Sequence, residues 1–287
     1  MKNSSIKLSR FISKDEKHQV LKELDVFGYT SVSQFLKPKV IDNLLELVNN
    51  KYENLNGKQK INYPGTPDRN VKDKILYSVH NIHNIYIDIL TQPFLRYILM
   101  NKLNDPYYRF LPQDKPNYIL GYYNARSSGD KLELHIDSNM PFLGSKTYMM
   151  QVVFLLQDST LNNGCTIVVP GSHKSGHYSD RDLKNVTPLT GKAGDILIWD
   201  SRLWHGTLEN YTGQSRWGLV ATFSQWWVKP SVDIVRGMND NIYRQCTNEQ
   251  KQMLGFCSIP PIDEFKRNNT KCGYDFLLPS VKDYNFI

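Results

Sequence analysis

Cysteine is scarce in this chain of 287 residues: four stand at 165, 246, 257 and 272, and none belongs to a CxxC pair. So thin a supply, unpaired in sequence, does not read as a disulfide-stapled scaffold in a chain this long, and fits reduced thiols in a cytoplasmic protein. Long apolar runs are also missing. The longest, Tyr148 to Leu156, is interrupted by Gln151 and falls well short of the ~20 residues that cross a bilayer as a helix. The polar, basic stretch Met1 to Ser13 has no apolar centre of the kind a signal peptide needs. No five consecutive Lys or Arg occur, although 35 basic residues outnumber 28 acidic ones for a net charge of +7. Basic residues so dispersed make a solvated surface rather than a nucleic-acid tract, so neither nucleic acid nor membrane is an expected partner. No internal repeat or low-complexity segment is visible either.

What is present divides into three textures. Up to about residue 115 the pattern is helical. Ser13-Lys14-Asp15-Glu16 is a capping box, followed by Val20, Leu21, Leu24 and Phe27 at helical spacing and by Gly28 where a left-handed cap belongs. Pro38 opens a second helix with the stripe Val40, Ile41, Leu44, Leu45 and Val48. A third stretch, Ile85 to Leu99, is broken by Pro93. From about 116 to 229, short β-branched and aromatic runs alternate with turn residues. Tyr118–Tyr123, Thr147–Leu156, Thr166–Val169, Ile196–Trp199 and Trp217–Trp227 read as strands of an antiparallel sandwich or barrel. Residues 230–287 form a mixed C-terminal extension. The expectation is one domain over 1–287, mainly β with flanking helices.

Within the β-rich part, Leu134-His135-Ile136-Asp137 carries possible chemistry. Positions i and i+2 of a strand share a face, so His135 and Asp137 can present an imidazole and a carboxylate together. Two histidines and one carboxylate on one face of an octahedron leave three positions open, the arrangement of oxygen-activating Fe(II) enzymes. The same tripeptide equally suits a polar pair at a strand edge. A third ligand must come from elsewhere. Histidines 18, 80 and 83 fall in or near the helical part, which leaves 173, 177 and 205. His173 and His177 have i, i+4 spacing, but Pro170, Gly171 and Gly176 around them favour a loop. His205 follows a Gly194-Asp195 turn, an apolar strand and a short polar break.

Arg216 opens the strand that follows. It shares a face with Gly218, Val220 and Thr222, while Trp217, Leu219, Ala221 and Phe223 occupy the other. The arginine side therefore has room for a small anion, and a guanidinium grips a carboxylate through two parallel hydrogen bonds.

These residues come in a recognisable order. Phe27-Gly28-Tyr29, Phe35-Leu36-Lys37-Pro38, Asn163-Gly164-Cys165, Pro170-Gly171-Ser172-His173, Gly194-Asp195, and His205 with Arg216 resemble the phytanoyl-CoA dioxygenase family over about residues 20–225, with a looser match at 50–115. The resemblance implies a double-stranded β-helix, the cupin-like jelly roll. It implies Fe(II) held by His135, Asp137 and His205, and the cosubstrate 2-oxoglutarate held by Arg216 with help from the Thr207 hydroxyl. It implies a dioxygenase that uses O2 to hydroxylate a small-molecule metabolite, releasing succinate and CO2. Related halogenases lack the carboxylate ligand, so Asp137 points to hydroxylation or another oxidative outcome, such as desaturation, ring formation or oxidation to a ketone, rather than halogenation. The Pro-Gly-Ser-His loop is structural in such proteins.

Substrate recognition is expected in the residues just before the first histidine: Tyr122, Tyr123, Asn124, Arg126 and Lys131. The two cations suit an anionic group such as a phosphate or carboxylate. Two other functions share the jelly-roll expectation: a non-catalytic metabolite- or carbohydrate-binding protein, and a metal-dependent cupin-type isomerase that needs no 2-oxoglutarate.

Overall fold

Ser13 starts the first helix as the sequence predicts. Its hydroxyl accepts the Glu16 amide at 3.1 Å, and α1 runs Lys14–Phe27. The Glu16 carboxylate does not reach back to complete the box; it pairs instead with Arg10, 2.9 Å away. Gly28 ends α1 at φ 82°, donating to the Leu24 carbonyl. A side chain there would be strained and would also strike the His173 ring, since its Cβ would lie 2.4 Å from Nδ1. Pro38 opens α2 (Pro38–Glu53), and Pro93 divides the third stretch into α3 (Ile85–Leu90) and α4 (Pro93–Leu103). This computed structural model describes residues 7–57, 60, 73–142, 144–179, 183–266 and 271–284, so the first six residues of the polar N-terminal stretch lie outside it.

The strands are β1 (Tyr29–Val32), β2 (Lys74–Leu76), β3 (Ile119–Ser127), β4 (Leu132–His135), β5 (Met149–Leu155), β6 (Thr166–Val168), β7 (Thr187–Leu189), β8 (Ile196–Asp200), β9 (His205–Thr207) and β10 (Trp217–Ser224). They form two antiparallel sheets, ordered β1-β8-β5-β10-β3-β2 and β4-β9-β6-β7. This is the jelly roll. The five strands read from sequence are all present, with β3 running on to Ser127 and β10 stopping at Ser224. The other five are only three or four residues long, too short to show a period of their own.

The two faces of the large sheet bury different things. Trp217, Leu219, Ala221 and Phe223 of β10 join the main core beneath the helices, where Tyr52 of α2 meets the Trp217 ring edge-on at 5.3 Å. Three short helices follow the sheets: α5 (Ile234–Gly237), α6 (Asp240–Gln245) and α7 (Asn248–Met253). Tyr243, Met253, Leu254 and Phe256 from this extension lie in the same core, and Gln252 donates to the Tyr118 carbonyl at 2.9 Å. A smaller cluster fills the space between the sheets, including Val153, Leu155, Val168, Leu197 and Trp199. None of the described helices is long and apolar enough to cross a membrane.

His80, on a short turn of 3-10 helix (Val79–Asn81), is fully buried by this packing. Burial pushes its imidazole from the ordinary 6.5 down to about 4. Between those values the unfolded chain binds a proton that the fold refuses. The contribution of neutral His80 is therefore whole above about pH 6.5 and is lost as pH falls toward 4. His80→Gln is expected to flatten the fall in stability over this range. Urea denaturation of both proteins at a series of pH values checks it; parallel curves would clear His80 of the effect.

Candidate active site

The site is built where β4 and β9 run side by side, with His135 directly opposite His205. Their approach depends on Gly206. A Cβ there would fall 2.4 Å from the Leu132 carbonyl oxygen and 3.1 Å from that of Glu133, both backbone atoms that cannot swing away. The two imidazoles face each other with centroids 4.4 Å apart. Each ring has its Nδ1 2.9 Å from the carbonyl oxygen two residues earlier, Glu133 for His135 and Leu203 for His205. A carbonyl only accepts, so Nδ1 carries the hydrogen and the Nε2 lone pair of both rings is left for a metal.

Asp137 lies beyond the strand rather than within it, because β4 ends at His135. The expected strand periodicity therefore does not place its carboxylate. A turn does: the Asp137 and Ser138 amides both donate to the Ser201 carbonyl, at 3.0 and 3.2 Å. Ser201 is held in turn by the buried ion pair Asp200–Arg202, with contacts of 2.9 and 2.7 Å. Asp137 Oδ1 then sits 3.5 Å from His135 Nε2, and Oδ2 sits 3.2 Å from His205 Nε2. Burial works to raise this carboxyl, but with no ion between them the two facing imidazoles, when protonated, prevail and hold it well below the usual carboxylate range. Ligand atoms of the three residues all lie within 4.8 Å of one another, a spacing that one ion can bridge. Gln151, fully buried on β5, donates to Asp137 Oδ2 at 2.6 Å.

The triad opens into a cleft of about 570 Å³, counting its open mouth, between the two sheets. Arg216 and Thr207 line the same cleft. The Arg216 guanidinium is buried and donates to the carbonyls of Asn163 (3.2 Å) and Gly164 (2.5 Å). This explains the Asn-Gly-Cys motif: Gly164, at φ 83°, makes the turn that aims both carbonyls at the arginine. Burial lowers Arg216 to about 10, which still leaves it charged at neutral pH. Among the described residues no carboxylate lies within ion-pair distance of it, and the buried Thr207 hydroxyl has no hydrogen-bond partner. A buried cation supported only by neutral groups, beside an unsatisfied hydroxyl, suits an incoming carboxylate.

The residues expected to meet substrate separate. Tyr122 and Arg126 line the cleft. Arg126 is paired with Asp73 at 3.3 Å. Tyr123 does not face the cleft: its neighbour takes that side of β3, and its ring packs edge-on against Tyr86 in the main core. Asn124 is spent on accepting the Ser78 amide at 3.1 Å. Lys131 is exposed and pairs with Glu133 outside the cleft. His173 is buried in the Pro-Gly-Ser-His loop, which ties α1 to the turn before β9 through Gly171 N to Phe27 O and Trp204 N to Ser172 Oγ. Sequence reasoning missed Gln151, Asp73 and the Asp200–Arg202 pair. Of these only Gln151 left a signal, as the polar break in an apolar strand.

A jelly roll with two histidines and a carboxylate at its open end defines the class of mononuclear non-haem metal oxygenases. The sequence model for the phytanoyl-CoA dioxygenase family (PhyH) matches residues 24–218. The chain belongs to that family. Among curated relatives, an uncharacterized protein of Mycobacterium tuberculosis is 29% identical over 52% of this chain and 56% of its own length. Dioxygenase af480 of Aspergillus fumigatus is 27% identical over 47% of this chain and 46% of its own. The chain thus spans about half the length of the curated relatives it matches. Two solved structures share the fold. The non-haem α-ketoglutarate-dependent epimerase SnoN from nogalamycin biosynthesis has a TM-score of 0.59 and 16% identity, over 74% of this chain and 84% of its own. HygX from Streptomyces hygroscopicus, with nickel and 2-oxoglutarate bound, has a TM-score of 0.57 and 13% identity, over 77% and 90%.

Gly206→Ala is expected to wedge β4 from β9 and destabilise the fold by about 1–3 kcal/mol, the usual range for a group forced into filled space. Gly237→Ala, whose Cβ meets nothing within 4 Å, is the control. Chemical denaturation of the two variants compares them; equal stability would mean the strands can part freely.

Proposed function

We propose that the chain is a single catalytic unit that binds Fe(II) through His135, Asp137 and His205 and 2-oxoglutarate through Arg216 and Thr207. In this reading it uses O2 to hydroxylate a small-molecule substrate, with release of succinate and CO2. The observation that carries it is the pairing, in one cleft, of three convergent side chains with a buried arginine that no carboxylate among the described residues neutralises. Bound iron and 2-oxoglutarate supply the oxidising chemistry. The chain's own part is positional. Glu133 and Leu203 carbonyls fix the imidazole tautomers, the Ser201 turn fixes Asp137, and the Asn163–Gly164 carbonyls aim Arg216.

A small-molecule substrate accords with the fold neighbours, since HygX has been solved with hygromycin B and SnoN with nogalamycin RO. Substrate enters beside Tyr122 and Arg126, the recognition residues that remain in the cleft. Arg126 favours a substrate carrying an anionic group, which would share its guanidinium with Asp73.

Anaerobic titration tests the assignment. With Fe(II) and 2-oxoglutarate together, and not with either alone, the protein is expected to develop a visible charge-transfer band. A non-catalytic binding protein gives none, and a cupin-type isomerase binds metal without it. His135→Ala and Asp137→Ala should lose iron by more than the roughly 10–100-fold that removing an outer-shell partner costs. Arg216→Ala should weaken 2-oxoglutarate by about 10- to 150-fold, the value of a charge-assisted hydrogen bond, and leave iron nearly untouched. Unchanged iron affinity in both ligand variants would sink the reading.

A further inference from the structure

Among the described residues Gln151 is the one wholly buried amide side chain that touches the triad, and both polar atoms of its side chain are used. Its Nε2 donates to Asp137 Oδ2 at 2.6 Å and to the Tyr122 hydroxyl at 3.0 Å, while its Oε1 accepts from Thr222 Oγ1 at 2.7 Å. The amide can face only one way, because a carboxylate requires a donor and the Thr222 hydroxyl supplies the hydrogen for Oε1. The strand register makes this arrangement rigid. Tyr122, Thr222 and Gln151 are direct partners across β3, β10 and β5, so they form a transverse row on the cleft face of the large sheet. Asp137 comes from the opposite layer, on a turn rather than a strand, and without Gln151 only the Ser201 carbonyl would fix its backbone. Its carboxylate would then have only the two imidazole Nε2 atoms, 3.5 and 3.2 Å away, to resist rotation about χ2, a broad and soft torsion.

We propose that Gln151 is a positioning residue that holds Oδ2 of Asp137 and so makes the aspartate a ligand through Oδ1 alone. A carboxylate able to chelate through both oxygens would occupy a coordination position that 2-oxoglutarate or O2 needs. The amide keeps that position open. This inference rests on the reading of His135, Asp137 and His205 as an iron site, and it adds the residue that decides how Asp137 binds.

The test is an anaerobic titration of Gln151→Leu and Thr222→Val beside the unaltered protein, first with Fe(II), then with 2-oxoglutarate, recording the visible band. Gln151→Leu should still bind Fe(II). Its 2-oxoglutarate affinity should fall by about 10- to 100-fold, as expected for loss of an outer-shell partner, and the band should shift or disappear. Thr222→Val keeps the amide but frees its carbonyl end, and should move both readings in the same direction by less. Unchanged 2-oxoglutarate affinity with an unmoved band in Gln151→Leu overturns the proposal. So does loss of Fe(II) and 2-oxoglutarate binding together in a variant that melts normally, which would make Gln151 a plain support for the fold. If Gln151→Leu does not fold, Thr222→Val decides alone, and no change in it overturns the proposal. Unaltered protein that binds no Fe(II) would instead end the iron reading itself.

Discussion

Everything at this site depends on two short strands lying closer than side chains would ordinarily allow. β4 and β9 contribute four and three residues, and their pairing sets His135 opposite His205. Glycine at 206 is what permits it, since any Cβ would collide with backbone on the facing strand. Once the strands meet, the histidines need little else. Each has its Nδ1 occupied by a carbonyl on its own chain segment, so the ring orientation follows from local backbone. Short strands are weak on their own, and these are held at their far ends. The Pro-Gly-Ser-His loop clamps the entry to β9 through Ser172, and Asn210 donates its amide to the Gly129 carbonyl just before β4.

The large sheet supplies the other half of the site through a single level of its ladder. Tyr122, Thr222, Gln151 and Trp199 are successive partners across β3, β10, β5 and β8. The polar three support Asp137, while the Trp199 ring lies against His205 with centroids 5.1 Å apart. Two ligands on one sheet are thus backed by one row on the other. Moving any strand by one residue would turn that row to the opposite face and replace it with core residues, so sheet register and site geometry are one constraint.

This also explains what the sequence could and could not reveal. The convergence of His135, Asp137 and His205 was legible because their chemistry is distinctive and their order along the chain is characteristic. The faces of β10 were legible because an unbroken strand alternates, and Arg216, Gly218 and Val220 do line the cleft. Alternation failed where backbone irregularity intervened. The β3–β10 register shifts next to Tyr122, with Thr222 opposite Tyr122 and Phe223 opposite Leu120, so Gly121 is bypassed. Reading across such a bulge gives no way to choose between Tyr122 and Tyr123, and the latter turned inward. His135 and Asp137 converge as expected for the wrong local reason, by a turn anchored on Ser201 some sixty residues away in the chain. No pattern near Asp137 could announce that partner. The unread strands β1, β2, β7 and β9 have the same cause: three or four residues become a strand only through what they pair with.

The two arginines in the cleft show how environment divides one residue type between two tasks. Arg126 has a carboxylate beside it, so its charge is largely balanced and its side chain stays partly open to solvent. Arg216 is buried, and its nearest partners are neutral carbonyls that orient the guanidinium without cancelling its charge. An uncompensated buried cation is costly, and an anion entering the cleft would offset that cost. Thr207, opposite on β9, carries a buried hydroxyl in the same unfinished state. The cleft is therefore polarised along its length. The end with the triad carries the carboxylate of Asp137, and the far end is positive at Arg216. A dicarboxylate long enough to span the cleft would find the triad at one end and a guanidinium at the other, and the two unsatisfied groups, Arg216 and Thr207, would set its orientation.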